Sequence, residues 1–258
     1  MVFFAVSYNH LTIFTMSGHS KWATIKRAKG VNDAKRGQLF TKLANAITIS
    51  VKQGGGVTDI EMNPSLRIAV DKAKGANMPR ENIDRAIQRA AGLGQGVEFT
   101  EALYEGFAPG GVGMLIEAVT DKKQRTVAEV KNLIEKSGGS LGSQGSVSYQ
   151  FQKAGEIIVK ADGKSSDEIL SVALDSGVED LEDAGEVVFL YTSATSLMQV
   201  KEALEKAGLI VEEAGLIYKP MNRLQVDSVV EEKVMAIVEK LEDLDDVQKV
   251  YTNMEHVE

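Results

Sequence analysis

Cysteine is missing from the chain. That excludes disulfides, thiol nucleophiles and thiolate metal sites, and it suits a reducing compartment, so the expected location is the cytoplasm. Histidine is scarce. His10, His19 and His256 lie far apart and form no HxxxH or HExxH pattern, so imidazole metal chemistry is not expected. Long apolar runs are lacking too. The most apolar stretch, residues 1–15, is too short and too interrupted by polar residues to cross a bilayer. It also lacks the basic residues of a signal or transit peptide. Met16, followed by a polar and basic run, is the expected true start, which leaves residues 1–16 as a non-native or disordered extension.

What is present divides by charge. Of the 258 residues 43% are hydrophobic and 26% charged, an ordinary composition whose length favours two or three domains. Ser17 to Ala91 holds 14 Lys and Arg against 6 Asp and Glu, while the remainder holds 15 against 31. The formal net charge of −8 therefore conceals a basic N-terminal part and an acidic remainder. Within the basic part, Lys21, Lys26, Arg27, Lys29, Lys35, Arg36 and Lys42 crowd the segment from Ser17 to Ile47, which also carries the chain's one tryptophan, Trp22. Clustered cations are the electrostatic footprint of a phosphate-backbone binder. A solvated, lysine-rich helix face is the competing reading. For Trp22, stacking on a base and packing against the helices stand equally open.

Periodicity predicts three helices in this part. Asn32-Asp33 can cap the first, with Phe40, Leu43, Ile47 and Val51 inward, Lys35 and Lys42 on the opposite face, and Arg36 reaching past the core edge. Gly54-Gly55-Gly56 stops it. Asn63-Pro64 opens the second, with Leu66, Ala69, Val70 and Ala73 inward. Pro79 opens the third, whose Ile83, Ala86, Ile87 and Ala90 point in and whose Arg85 and Arg89 share the outer face one turn apart. Gly92 to Gly96 reads as a linker, so the basic helical domain is expected over residues 17–96.

Beyond the linker the pattern alternates, and the fold class expected is α+β. Strands at Val112–Thr120, Ser146–Phe151, Gly215–Lys219 and Val247–Thr252, with helices at Arg125–Lys136 and Ser228–Leu244, spell a ferredoxin-like βαββαβ order. The segment between repeats that order: strands at Glu156–Lys160, Val178–Leu181, Glu186–Thr192 and Leu209–Glu212, and helices at Ser166–Ser176 and Thr195–Ala207. One ferredoxin-like domain (153–213, strongly acidic) is thus expected between the second and third strands of another (97–152 plus 214–258).

The glycine-rich runs at Gly106–Gly113 and Ser137–Gly145 lack GK[ST] and stand on the wrong side of their strands for a nucleotide cradle. The second run has enough backbone donors to touch a partner. Tyr149 and Phe151 suggest the aromatic platform of an RNA-binding sheet, but core alternation of Val147, Tyr149 and Phe151 explains them more simply. Carboxylates fall on helix faces and in runs such as Glu179-Asp180 and Asp245-Asp246, where solvation is the default. No nucleophile, general base or metal set emerges, so neither an enzyme nor a cofactor is expected.

Several long blocks carry a resemblance: GHSKWATIKRAKGVNDAKRGQLFTKL, NPSLRIAVDKAKGANMPRENIDRAI, YEGFAPGGVGMLIEAVTD, RTVAEV and GGSLGSQGSVSYQF. In this order they resemble the YebC/PmpR family, from about Met16 to the C-terminus. The resemblance implies a three-domain cytoplasmic protein with a helical N-terminal domain and two α/β domains. It implies a DNA-binding transcriptional regulator, or, as for mitochondrial and some bacterial relatives, a ribosome-associated translation factor. The expected partners are DNA and/or ribosomal RNA, with the ribosome or transcription machinery. No membrane is expected, and the expected state is a monomer. A different class, an acidic protein-interaction scaffold, is the further alternative. From the sequence, changing Lys26, Arg27, Lys35 and Lys42 together to Glu is expected to abolish nucleic-acid binding without unfolding the protein, as measured by filter binding and circular dichroism.

Overall fold

The computed structural model describes residues 33–92 and 99–255, with side chains from Arg36 onward. Asp33–Gln53 forms α1, Pro64–Gly75 α2 and Arg80–Ala90 α3. Leu43, Ile47 and Val51 of α1 are buried against Leu66, Val70 and Ala73 of α2 and against Ile83 and Ala86 of α3. The turn between α1 and α2 is closed by Asn63 and by Arg67, which donates to the carbonyls of Ile60 and Glu61 (3.1 Å each). Asn63, itself buried, accepts from Leu66 N (3.1 Å) as the α2 cap and donates from Nδ2 to the carbonyls of Ser50 and Val57 (3.0 Å each). A Cβ at Gly54 would come within 2.2 Å of that same amide, so this glycine is required by close approach.

The chain continues as β1 (Thr100–Phe107), β2 (Gly113–Thr120), α4 (Lys123–Lys136), β3 (Ser140–Leu141), β4 (Phe151–Lys160), α5 (Ser166–Leu174) and β5 (Asp180–Asp183). Then follow β6 (Val187–Ser193), α6 (Leu197–Lys206), β7 (Val211–Pro220), β8 (Leu224–Gln225), α7 (Ser228–Glu242), β9 (Val247–Thr252) and β10 (Met254–Glu255). They build two antiparallel four-stranded sheets, β3-β1-β2-β9 and β5-β6-β4-β7, and a short parallel pair, β8-β10.

The inner sheet has the ferredoxin-like order, with α5 and α6 covering one face through Ile169, Ala173, Leu197, Val200 and Leu204. The outer sheet does not. It runs ββαβ, the inner unit follows β3, and α7 and β9 complete it. Its α4 and α7 cover one face through Val130, Ile134, Val234, Ile237 and Leu241. The other faces of the two sheets pack together: Leu115 and Tyr251 from the outer sheet meet Ala154, Ile158, Phe189, Tyr191 and Ile217 from the inner. The order through the body is therefore helices, sheet, sheet, helices.

Two expected strands of the outer sheet belong elsewhere. Phe151–Lys160 is one continuous strand, and so is Val211–Pro220; they pair from Phe151↔Pro220 to Val159↔Val211. The inner sheet thus spans residues 151–220, beyond the expected 153–213. The strand expected at Ser146–Phe151 is instead a 3-10 turn at Ser148–Gln150 leading into β4. β1 goes unseen in the sequence because β3 covers only Gly106 and Phe107, leaving the rest of β1 an open edge with little apolar alternation. The glycine run after β1 makes the hairpin to β2, with Gly110 and Gly111 both at φ +78°.

Two carboxylates fix this outer unit from within. Glu105 of β1 is buried and accepts from the backbone N–H of Gly145 (2.8 Å), Val147 (2.7 Å) and Ser148 (2.8 Å). Burial pushes its carboxyl up, but the backbone donors more than offset this and hold it below its usual value. Asp246, expected to be solvated, is buried and accepts from Thr126 Oγ1 (2.6 Å), Thr120 Oγ1 (3.0 Å) and Arg125 Nη2 (2.7 Å). It too lies below its usual value, with burial opposed by these donors.

A group lowered in the fold contributes stability that is complete above its unfolded value, about 4.3 for Glu, and is lost as pH falls through the lowered folded value. Glu105→Gln, which leaves buried N–H groups facing an amide, is expected to cost roughly 3 kcal/mol at neutral pH. Urea unfolding should show a smaller difference between variant and parent at acid pH.

Candidate nucleic-acid interface

The cations of the helical head fall into two sets. One set turns toward the two-sheet body. Lys42 donates from Nζ to the carbonyl of Glu242, the last residue of α7, where the unsatisfied carbonyls and the helix dipole favour a positive charge. Beside it, Gln38 Nε2 reaches the carbonyl of Asp243 at 3.5 Å. Further along α1, Lys52 Nζ donates to Phe99 O (3.3 Å) and Gln53 Nε2 to Glu101 Oε1 (2.7 Å). From α2, Lys72 pairs with Glu213 of β7 (2.8 Å) and Arg67 with Glu202 of α6 (3.5 Å). Asp71 returns the exchange to Lys201 of α6 at 3.2 Å. Glu213 raises the Lys72 ammonium above its usual value.

This docking explains why α1 is buried almost all round. Every residue from Ile47 to Val51 is buried, because the helix packs on α2 and α3 on one side and touches β2 and β9 on the other. Ile68 adds an apolar contact to the inner-sheet core. Thr48 and Ser50, both buried, return their hydroxyls to the carbonyls of Ala44 and Ala46.

The second set points away. Arg36, Lys74, Arg80, Arg85 and Arg89 are exposed. Arg36 lies over the Phe40 ring at 5.8 Å, and Arg80 reaches Asp84 at 3.7 Å in a solvent-exposed pair of little net strength. Among the described residues, no ion pair or hydrogen bond engages the guanidinium group of Arg85 or Arg89, four apart on the outer face of α3. Such a face can hold phosphate oxygens without stripping a partner first.

Of the residues singled out from the sequence, the structure therefore leaves Arg36, Arg85 and Arg89 facing outward. It engages Lys42, read from the sequence as standing opposite the core with Lys35, with the carbonyl of Glu242 in the body. The backbone of Lys35 lies in α1, but its side chain, together with Lys21, Trp22, Lys26, Arg27 and Lys29, lies outside the described residues. The extension at residues 1–16 and most of the linker, from residue 93, lie outside them too. Sequence reasoning missed Lys74 and Arg80, which stand on the exposed ends of α2 and α3. The net count of charges held the signal, but only the docking geometry separates occupied from available cations.

The aromatic stripe expected at Val147, Tyr149 and Phe151 is broken by the 3-10 turn. Val147 and Phe151 are buried, whereas Tyr149 is 67% exposed. Of the second glycine run, Gly145 N–H is bound from inside by the Glu105 carboxylate and Gly142 N–H by the Glu105 carbonyl. Among the described residues, no His, Asp and Glu group could hold a metal ion and no helix is long and apolar enough to cross a membrane.

Comparison with known proteins places this architecture. Residues 20–93 match the model of the TACO1/YebC protein N-terminal domain, and residues 99–254 that of the TACO1/YebC second and third domain. A probable transcriptional regulatory protein of Acidithiobacillus ferrooxidans is 48% identical, over 92% of this chain and 94% of its own. Its counterpart in Borrelia duttonii is 48% identical over 94% and 99%, respectively. A crystal structure of a conserved hypothetical protein from Aquifex aeolicus superposes with a TM-score of 0.82 at 44% identity, covering 88% of this chain and 93% of that one. With both parts of the fold matched in order and relatives aligned over nearly their full length, the chain belongs to the TACO1/YebC family.

Proposed function

We propose that this protein is a non-enzymatic, nucleic-acid-binding regulator of gene expression. It grips a phosphate backbone with the outer face of its helical head. The observation that carries the reading is the sorting of cations. Lys42, Arg67 and Lys72 hold the head to the body, while Arg85 and Arg89 are left facing solvent on one turn-spaced stripe. The names of the relatives, as probable transcriptional regulatory proteins, support a regulator that acts on DNA. In this reading it works as a cytoplasmic monomer without a cofactor.

A second target, ribosomal RNA on the translating ribosome, is favoured by the acidic body. Between residues 151 and 213 stand 14 Asp and Glu against 5 Lys, a charge that phosphate repels. A basic head on an acidic body suits a site dense in phosphate that only the head enters. Backbone contacts of this kind position a protein and carry little base information.

Arg85→Glu with Arg89→Glu is expected to weaken binding to every polyanion about equally and to leave folding unchanged, as read by fluorescence anisotropy and circular dichroism. Two measurements on the parent protein separate the targets. Co-sedimentation with ribosomes through sucrose at moderate salt assigns the ribosome. A preference for a promoter duplex over a scrambled one of about 10³-fold or more assigns a promoter. Absence of both, or full affinity in the reversed-charge variant, overturns the proposal.

A further inference from the structure

Besides the head, the molecule carries a second surface with the features of a recognition site. From Ser137 to Gln152 the sequence contains no charged residue, although the surrounding body is acidic. Tyr149 stands near the end of this stretch, 67% exposed. Ser143 and Gln144 of the same loop are exposed as well.

An exposed tyrosine alone needs no explanation. Here, however, the backbone on both sides of it is held from within. Ser148 N–H binds the buried carboxylate of Glu105 at 2.8 Å. Gln150 N–H donates to Val147 O at 2.9 Å, and its carbonyl accepts from Met221 N–H at 2.8 Å. The Gln150 side-chain oxygen accepts from Nδ2 of the buried Asn253 at 2.7 Å, and Asn253 in turn accepts from Gly113 N–H at 2.9 Å. A buried carboxylate and a buried amide are thus committed to fixing a surface loop that exposes an aromatic ring. Burying such groups costs free energy, and the loop they fix presents its ring to a ligand at little further entropic cost.

We propose that Tyr149 stacks on an unpaired nucleobase, with the hydroxyl of Ser143 and the amide of Gln144 available to the base edge. The chemistry fits on three counts. A flat aromatic face binds any base that is out of its helix. The neutral loop carries no carboxylate of its own to meet the flanking phosphates, unlike the acidic inner unit that it leads into. Hydroxyl and amide groups offer both donors and acceptors to a base edge. This inference rests on the nucleic-acid reading of the head and sharpens it: the ligand has a single-stranded loop, bulge or flipped base as well as a backbone to grip.

The test uses the full chain and four synthetic probes: an RNA hairpin with an oligoadenosine loop, its DNA equivalent, and blunt RNA and DNA duplexes of equal phosphate count. A fluorescent adenine analogue in each hairpin loop reports stacking by quenching. Tyr149→Ala is expected to weaken hairpin binding about tenfold and abolish the quenching, with duplex affinity unchanged; Tyr149→Phe should retain both. Which hairpin binds more tightly identifies RNA or DNA as the source of the base. Arg85→Glu with Arg89→Glu should weaken all four probes. If Tyr149→Ala leaves hairpin affinity and quenching intact while the head variant weakens binding, the stacking role is wrong and the head's role stands. If the parent protein binds none of the probes, the proposed function falls and this inference with it.

Discussion

The two sheets packed face to face are the constraint on which the rest of the molecule depends. Leu115 and Tyr251 of the outer sheet share a buried layer with Ile158, Phe189 and Ile217 of the inner one, so neither sheet face is complete alone. The long β4-β7 pair supplies the connection, carrying the chain out of one unit and back into the other. Tyr251, fully buried in the layer, donates its hydroxyl to Glu117 at 2.7 Å. Burial first, and then the Glu117 carboxylate, push that hydroxyl well above its usual value. Across the layer, Lys249 stands 3.6 Å from Glu156. The body is therefore one piece, apolar at its centre and tied by polar contacts at its side.

A one-piece body gives the head a fixed dock. α1 meets the outer unit at the end of α7, and α2 meets the inner unit at β7 and α6. Opposite charge acts twice here. It holds the head in place through ion pairs with the body, and by engaging the inward cations it decides which face of the head remains available. The same logic operates at Glu105, where an internal carboxylate occupies loop donors that would otherwise invite an external anion.

Helices were the most legible part of the sequence. Asn63-Pro64 marks the start of α2, the glycine triplet marks the end of α1, and of the residues read as inward Leu43, Ile47 and Val51 are buried and Phe40 half-buried. The inner sheet was legible in its order but not in its ends. A strand that starts in one expected unit and finishes in another, such as β4, has no local signal for which sheet will claim it. The outer sheet was misread because β1 is mostly an open edge and because Glu105 pulls Gly145 to Ser148 into a turn. At the candidate site, the cluster of cations was plain from composition. Which of them are already engaged was not, since Glu213, Glu202 and the carbonyl of Glu242 lie far along the chain. Tyr149 hid for a related reason: alternation predicts burial until a tertiary contact breaks it.

The division of the head cations into docking and phosphate-gripping sets is the central claim, and salt dependence tests it most directly. The logarithm of the affinity for duplex DNA should be plotted against that of salt concentration for the parent, Arg85→Gln, Arg89→Gln and Lys72→Gln. Each outward arginine removed is predicted to reduce the slope by about 0.9, the value for neutralising one phosphate fewer, while Lys72→Gln leaves the slope unchanged. Equal reductions for all three variants, or a reduction confined to Lys72→Gln, would contradict the account.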